Sequence, residues 1–476
     1  GDVYKRQDRH LSLDELFTWS YSHLEEDEKK LFRRVAVFVD GCMRDAIDEV
    51  CSLENDLKEN MEDLVASLVG HHLLEADLQG NTTWYWMLNT IHQYALSKLA
   101  GEERISIINQ HRDYYLQIAE ISESKLKGPE QKKWFHKLSK EEYNLEQAIR
   151  WSLNERQHTL AALLLVGGLG WYWYMKSASQ YGIERISLAL NINNQHPFYK
   201  TKEFAGAYGK ASYYLVALAL NVRDITWDEG FLIKIVNGSV QAYRDAGNPE
   251  GLALALTELA VIARMLGDVP KAHTILEKSH NYMRQLGNLW GEAWILEILG
   301  DMAFKQQDYE QAYICFEKSV EFFQKSGDQF SAATPLQALG DMAFYRNDYE
   351  NAEKYYLLIV TQYQEGDSIL TRVWALRVLG WIALHLKKYD QAIDYFEQAC
   401  GLFWHYGQKQ DVLSCYVGQA QVMKELLQPG ERRQFFFPIN YEGSTFVTRD
   451  EILAVITKGA NMSREEAIAY TRIFML

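Results

Sequence analysis

Apolar residues recur three and four positions apart along most of this chain, which predicts helices almost throughout. In the C-terminal half the helical pattern itself repeats every 40 residues. Leu299-Gly300, Leu339-Gly340 and Leu379-Gly380 mark one recurring position; Tyr309, Tyr349 and Tyr389 mark a second. Ala312, Ala352 and Ala392 follow, then Phe316, Tyr356 and Phe396. An earlier copy has Leu259-Ala260, Ala272 and Leu276, and a fading last one has Ala420 where glycine is expected. Each unit predicts a helix pair. Helix A falls near 250–265, 290–305, 330–345, 370–385 and 410–426; helix B falls near 270–285, 309–325, 349–364 and 389–405. The B helices are expected to end at Gly287, Gly327, Gly366 and Gly407, with Gly247 ahead of the first A helix. The small residues on both helices allow close approach, and the ring at 316, 356 or 396 is expected to fill the gap between layers. Stacked helix pairs of this kind bind along an extended surface.

The N-terminal pattern differs. Leu13, Leu16, Phe17 and Tyr21 have helical spacing, as do Leu31, Val35, Phe38 and Val39, with Gly41 placed to end the second helix. A third short helix is expected over Arg44–Cys51 and a fourth from Asn60, with Met61, Leu64, Val65 and Leu68 inward. Leu73–Leu78 and Thr82–Leu88 are rich in strand formers and flank Gln79-Gly80-Asn81, a hairpin signal. A fifth helix follows over Ile91–Leu99. Helices followed by one hairpin give a winged-helix outline. From Glu102 to Gly230 the chain reads as helix without a strict repeat: Tyr114, Tyr115, Ile118 and Ile121 share a face. Beyond the Gly128-Pro129 break, Trp134, Leu138, Tyr143, Leu145, Ile149 and Trp151 continue the stripe. At Pro429-Gly430 the repeat stops; Gln434–Phe446 is aromatic and irregular, and two closing helices are expected over Arg449–Leu476. The fold class is therefore mainly α: a winged-helix domain with a small β-hairpin wing at 8–101, then a helical connecting region with degenerate repeats at 102–230. An α-α superhelix of repeats follows at 231–428, and a capping segment at 429–476. Residues 1–7 read as a truncated start and are left out of the fold.

Charge and composition narrow the function. A formal charge of −15 over 476 residues argues against broad contact with nucleic-acid phosphates. The third-helix candidate carries three acids against one Arg, the wing has no basic residue, and the basic turn Lys29, Lys30, Arg33 and Arg34 reads as a solvated helix face. No nucleic-acid partner is expected. The five cysteines lack a C-x-x-C pair, which points to small buried hydrophobes in a reducing cytoplasm. Leu160–Met175 is uncharged but short for a membrane span, so a buried helix is expected there. No catalytic, metal or cofactor constellation emerges; His71-His72 has no further ligand at metal spacing.

The repeat resembles the tetratricopeptide pattern: Leu299-Gly300, Ala303, Ala312 and Phe316 fall at that motif's packing positions, although each unit is about 40 residues and lacks the closing Pro. A second resemblance is to the bacterial STAND regulators, signal-transduction ATPases of the AfsR and LuxR-large-regulator type. Lys29–Cys51, Leu64–Ala76 and Tyr85–Ala100 resemble their winged helix, Glu141–Trp151 the start of their helical sensor, and Gly459–Tyr470 the way many such chains end. In that family an effector domain and a nucleotide-binding ATPase precede the winged helix. The chain has no G-x-x-x-x-G-K-[ST]; Gly209-Lys210-Ala211-Ser212 is a decoy in a helical stretch. The resemblance therefore implies the C-terminal, regulatory part of a longer protein, with ATP or ADP confined to the absent module, and no enzyme in this chain. Where relatives have Met-His-Asp touching the nucleotide phosphate, this chain has Met87-Leu88-Asn89, and leucine cannot donate that bond; His92 reads as a satisfied structural histidine.

On a tetratricopeptide-like superhelix the A helices line the concave surface. Counting from each glycine, the inward positions are Trp294, Glu297, Asp301 and Phe304, then Gln337, Asp341, Phe344 and Tyr345. Trp374, Arg377, Trp381 and His385 follow, with Arg264 and Met265 earlier. Aromatic platforms with carboxylates and an Arg could hold a peptide or a polyhydroxylated small molecule. The leading expectation is a regulatory sensor that binds a protein or small-molecule effector here and contacts a nucleotide-binding module of its own protein. The alternative is a stand-alone scaffold that only docks a partner protein.

Overall fold

The computed structural model describes residues 13–57, 60–79, 82–154, 159–193, 201–222, 228–362, 369–405, 407–426 and 449–471. The sequence expectations for residues 1–7, Gly80-Asn81, Gly366, Pro429-Gly430 and 434–446 lie outside them. The chain divides into two compact units. One comprises Gly1–Leu126, Lys132–Trp173 and Ser179–Asn248; the other comprises Lys127–Gln131, Tyr174–Ala178 and Pro249–Leu476. The division after Asn248 keeps the helix over 229–246 with the one before it.

The first unit opens with α1 (Leu13–His23), α2 (Glu26–Val35), β1 (Cys42–Met43), α3 (Arg44–Val50) and α4 (Met61–Gly70). Strands β2 (Glu75–Gln79) and β3 (Thr82–Trp86) and helix α5 (Asn89–Lys98) follow. The strands form an antiparallel sheet in the order β1-β3-β2, with Cys42 opposite Tyr85 and Leu78 opposite Thr83. β1 was not legible in the sequence, since two residues carry no period. Gly41 does take a left-handed φ of 95°. It does not end α2, however, which closes at Val35; it turns the chain into β1, where a side chain would strike the Tyr85 carbonyl and Trp84. The basic turn is not a solvated face. Lys29 pairs with Glu26, Lys30 with Asp27 and Arg33 with Glu103, while buried Arg34 joins Glu103 to Asp56.

Next come α6 (Gly101–Leu126), α7 (Gln131–Lys140), α8 (Glu142–Asn154), α9 (Thr159–Met175), α10 (Ser179–Asn193), α11 (Lys202–Asn221) and α12 (Glu229–Ala246). The buried stripe of α6 runs through Ile107, His111, Tyr115, Ile118, Ala119 and Ser122. Ile121 and Tyr143, placed on apolar stripes by spacing alone, are exposed instead. α6 meets α9 at Gly168, where Ser122 Oγ donates to the Gly168 carbonyl and a side chain would strike the Ala119 carbonyl. The apolar stretch within α9 is thus a buried helix, and no helix among the described residues is long and apolar enough to cross a membrane. The decoy Lys210 lies inside α11 and pairs with Glu123.

In the second unit the helix pairs are α13 (Pro249–Met265) with α14 (Val269–Leu286), α15 (Leu289–Lys305) with α16 (Tyr309–Ser326), and α17 (Ala333–Tyr345) with α18 (Tyr349–Gln362). α19 (Ile369–His385) pairs with α20 (Tyr389–His405), and α21 (Lys409–Leu426) is followed by α22 (Arg449–Asn461) and α23 (Arg464–Thr471). The recurring chemistry explains the recurring shape. Gly287, Gly327 and Gly407 end B helices in left-handed conformations that satisfy the last carbonyls. Between A and B, Gly267, Gln307, Asn347 and Lys387 all take positive φ, and Asp268, Asp308 and Asp348 then cap the next helix by accepting from the backbone N–H three residues on. On the inner side, each ring lies on the glycine of its own unit. A Cβ at Gly300 would come within 2.7 Å of Phe316, one at Gly340 within 2.6 Å of Tyr356, and one at Gly380 within 2.7 Å of Phe396. Ser279 and Ser319 donate to the Ala253 and Ala293 carbonyls of their paired A helices, at 2.6 and 2.8 Å. α22 and α23 close the stack against α21, where Gln421 Nε2 donates to the Gly459 carbonyl at 2.6 Å and Arg464 pairs with Glu425. The fold is mainly α with one small sheet. All five cysteines are buried and unpaired, as small hydrophobes.

Candidate functional site

Several A helices touch, and some of the residues read as inward meet at those contacts. Arg264 on α13 pairs with Asp301 on α15, which also takes Lys305 at 3.0 Å. Phe344 on α17 meets His385 on α19 edge to face at 5.2 Å, and Tyr349 stacks on the same His385 at 4.4 Å. Arg377 on α19 donates to Asp411 on α21 at 2.6 Å. These contacts join α13 to α15, α17 to α19 and α19 to α21 within the second unit.

The residues read as inward are not equally open. Tyr345 is exposed; Arg264, Trp294, Glu297, Asp301, Phe304, Gln337, Trp374 and His385 are half-buried. Asp341, Phe344, Arg377 and Trp381 are buried. Asp341 accepts the Tyr356 hydroxyl, so it serves the packing of its own pair. Trp381 packs edge-on against Phe396 at 5.6 Å. These four lie behind the wall and do not line its open surface. Counting from the glycine finds the right side of the helix but not how far each side chain reaches past the neighbouring unit.

At the N-terminal end of the wall two carboxyls are held in apolar surroundings. Glu258, on α13, is 5% exposed, and burial pushes its carboxyl up to about 8. Glu297 is pushed up to about 8 by burial, then by the neighbouring carboxylates Asp301 and Asp328. The residue is half-buried, yet its Oε2 is closed to solvent and has no hydrogen-bond partner among the described residues. Tyr174, at the end of α9, sits edge-on to Trp294 at 6.0 Å, and Trp294 stacks on Trp290 at 5.6 Å. Burial, Glu297 and Glu258 together raise the Tyr174 phenol well above its ordinary range. A raised carboxyl favours the folded state least where it must ionise: stability is lost as pH climbs from the unfolded value near 4.5 towards 8. Glu297→Gln is therefore expected to raise the Tm at pH 8 by roughly 2–4 °C, with the gain fading near pH 4.5; a gain that is constant with pH would contradict this origin.

Sequence reasoning missed Glu258, Tyr174, Trp290 and Asp328. Tyr174 precedes the repeat altogether, and Glu258 is out of register with Glu297. Asp328 was legible only as a cap, since Asn248 and Asn288 occupy the same place after a helix-ending glycine.

The first unit holds a second feature. A cavity of about 540 Å³ is lined by Phe38, Gly41, Trp86, Met87, Leu88 and His92, among others. His92 Nε2 lies 3.1 Å from the Phe38 carbonyl, a satisfied structural contact. On the same loop, Val39 N–H donates to Asn144 Oδ1 and Asn144 Nδ2 donates to the Gly41 carbonyl, each at 2.8 Å. Asn144 Nδ2 also reaches Glu141, which accepts the Tyr115 hydroxyl at 2.6 Å. The start of α8 is thus wired to the rim of the cavity. Asn144→Ala is expected to cost about 2–4 kcal/mol, because a buried amide N–H and a carbonyl lose their partners; urea unfolding followed by far-UV dichroism measures it, and a loss below about 1 kcal/mol would count against the wiring.

Comparison with known proteins places these features. Family models for the tetratricopeptide repeat match residues 291–365 and 378–403. Proteins of Mycobacterium tuberculosis and Mycobacterium bovis named as candidate HTH-type transcriptional regulators are 30% identical over 196 residues, 41% of this chain and 22% of theirs. The match thus spans about a fifth of the length of those relatives. In fold, it resembles the crystal structure of a STAND protein with a tetratricopeptide repeat sensor from Pyrococcus horikoshii, at 14% identity and a TM-score of 0.51. That likeness covers 97% of this chain and 65% of the other. Both resemblances read from the sequence, to tetratricopeptide repeats and to STAND regulators, recur here.

Proposed function

We propose that this chain is the regulatory sensor of a STAND-type signalling protein that controls transcription. An effector, protein or small molecule, binds the A-helix wall of the second unit. Binding biases the sheet-bearing N-terminal domain, a winged helix in this reading, and through it a nucleotide-binding module that carries ATP or ADP. The observation that carries the reading is that charged and aromatic side chains meet where A helices touch, Arg264 with Asp301, Phe344 with His385 and Arg377 with Asp411. The fold likeness to a protein with a tetratricopeptide sensor supports it. Buried carboxyls near Trp294 fit a site rather than a scaffold alone, since they weaken the fold at neutral pH without serving its packing. The Asn144 clamp offers a physical link from the helical region to the domain it would bias.

A thermal-shift screen of metabolites and peptides on the chain tests the proposal. Hits should lose most of their shift in Phe304→Ala and Tyr345→Ala, both on the open part of the wall. Hits that keep their full shift in both variants would remove the wall as the binding surface.

A further inference from the structure

Arg377 is the most anomalous side chain of the wall. It is 1% exposed, and its guanidinium lies 4.4 Å from the Trp374 ring and 5.4 Å from the Phe403 ring. Nη1 donates to Asp411 Oδ1 at 2.6 Å and to Ser414 Oγ at 2.7 Å. Nε and Nη2 are closed to solvent and have no hydrogen-bond partner among the described residues. One helical turn further along the same face, fully buried Trp381 has an Nε1 that also lacks an acceptor.

Buried donors are almost always bonded, and orphaned ones mark a strained or functional place. Here three donors are orphaned, and two belong to a permanent cation. Nε and Nη2 are the pair with which arginine offers two parallel N–H groups to two oxygens of one anion. The rings at 374 and 403 hold the guanidinium plane and so fix the direction of that fork. Asp411 already engages Nη1, which leaves the opposite edge to another acceptor.

We propose that this edge of Arg377, together with Trp381 Nε1, anchors an oxyanion of the effector, a carboxylate or a phosphate. The assignment rests on the wall being the effector surface and names the chemistry of what it takes; because Arg377 and Trp381 lie behind the open surface, the anion reaches them only as the packing over them opens. Neutral hydroxyls would leave the paired donors poorly matched, whereas an oxyanion supplies two acceptors and a charge.

Calorimetric titration of the whole chain with inorganic phosphate and with succinate, against sodium chloride at equal ionic strength, separates the two sources. Wild type should bind one of them beyond chloride. Trp381→Phe keeps the ring and the packing, and should weaken binding about tenfold through loss of one charge-assisted hydrogen bond. Arg377→Gln should abolish it. Binding no better than chloride, or equal affinity in wild type and Trp381→Phe, would overturn the assignment. An uncharged compound from the metabolite screen that depends on Phe304 but not on Arg377 would leave the sensor reading standing and end this one.

Discussion

Phe396→Ala is expected to destabilise the second unit by about 3–5 kcal/mol. The ring is fully buried, rests on Gly380 of its own pair and on Gly418 of the next A helix, and meets Trp381 edge-on at 5.6 Å. Removing it takes away more than transfer energy. Two glycines have no Cβ with which to close the gap, so the surrounding helices cannot collapse into it and most of the cavity penalty remains. The complementary change, Gly380→Val, should cost about 1–3 kcal/mol by overpacking the same contact. Equilibrium unfolding in urea checks both. A Phe396→Ala loss below about 1 kcal/mol would mean that the ring does not bridge successive units.

Asp328→Ala should be nearly as damaging, at about 3–5 kcal/mol. The fully buried carboxylate follows the helix-ending Gly327 and organises the start of the third pair. It accepts Trp290 Nε1 and Ser331 Oγ at 2.6 Å each, the Ser331 N–H at 3.0 Å, and Gln131 Nε2 at 2.5 Å. Gln131 Oε1 in turn accepts the Phe330 N–H at 3.1 Å. Alanine would strand several donors at once, none of which can reach water. Asp328→Asn keeps the shape and one acceptor oxygen, so it should lose only part as much. The summed fluorescence of the chain's 13 tryptophans, Trp290 among them, and the urea midpoint should shift in the alanine variant and stay closer to wild type in the asparagine one. Identical spectra and midpoints for all three proteins would refute the role of this carboxylate.

These two sites show where the sequence was informative. The 40-residue period predicted every A and B helix of the repeat to within a few residues, because glycine, alanine and an aromatic ring must recur wherever two helices pack at one distance. It also placed the ring at 396 between successive units, where the structure adds that the glycine of its own pair receives it. Ala420 seemed to end the pattern, but Gly418, two residues earlier, receives Phe396 instead. The start of α17 was predicted three residues early, since the Asp328 turn occupies the chain up to Ala332. Candidate wall residues were legible as a face and not as a surface: Arg377 and Trp381 stand at the same distances from their glycine as half-buried Glu297 and Asp301, yet they are buried. The clamp through Asn144 was invisible, since its partners Val39 and Gly41 are 105 and 103 residues away and contribute only backbone atoms.

The most direct test is hydrogen exchange of the chain with and without a compound that raises its Tm. The account predicts slower exchange concentrated in the A helices α13, α15, α17 and α19, with the B helices α14, α16 and α18 little changed. Protection confined to the B helices, or to the sheet-bearing domain with the A helices unaltered, would contradict it.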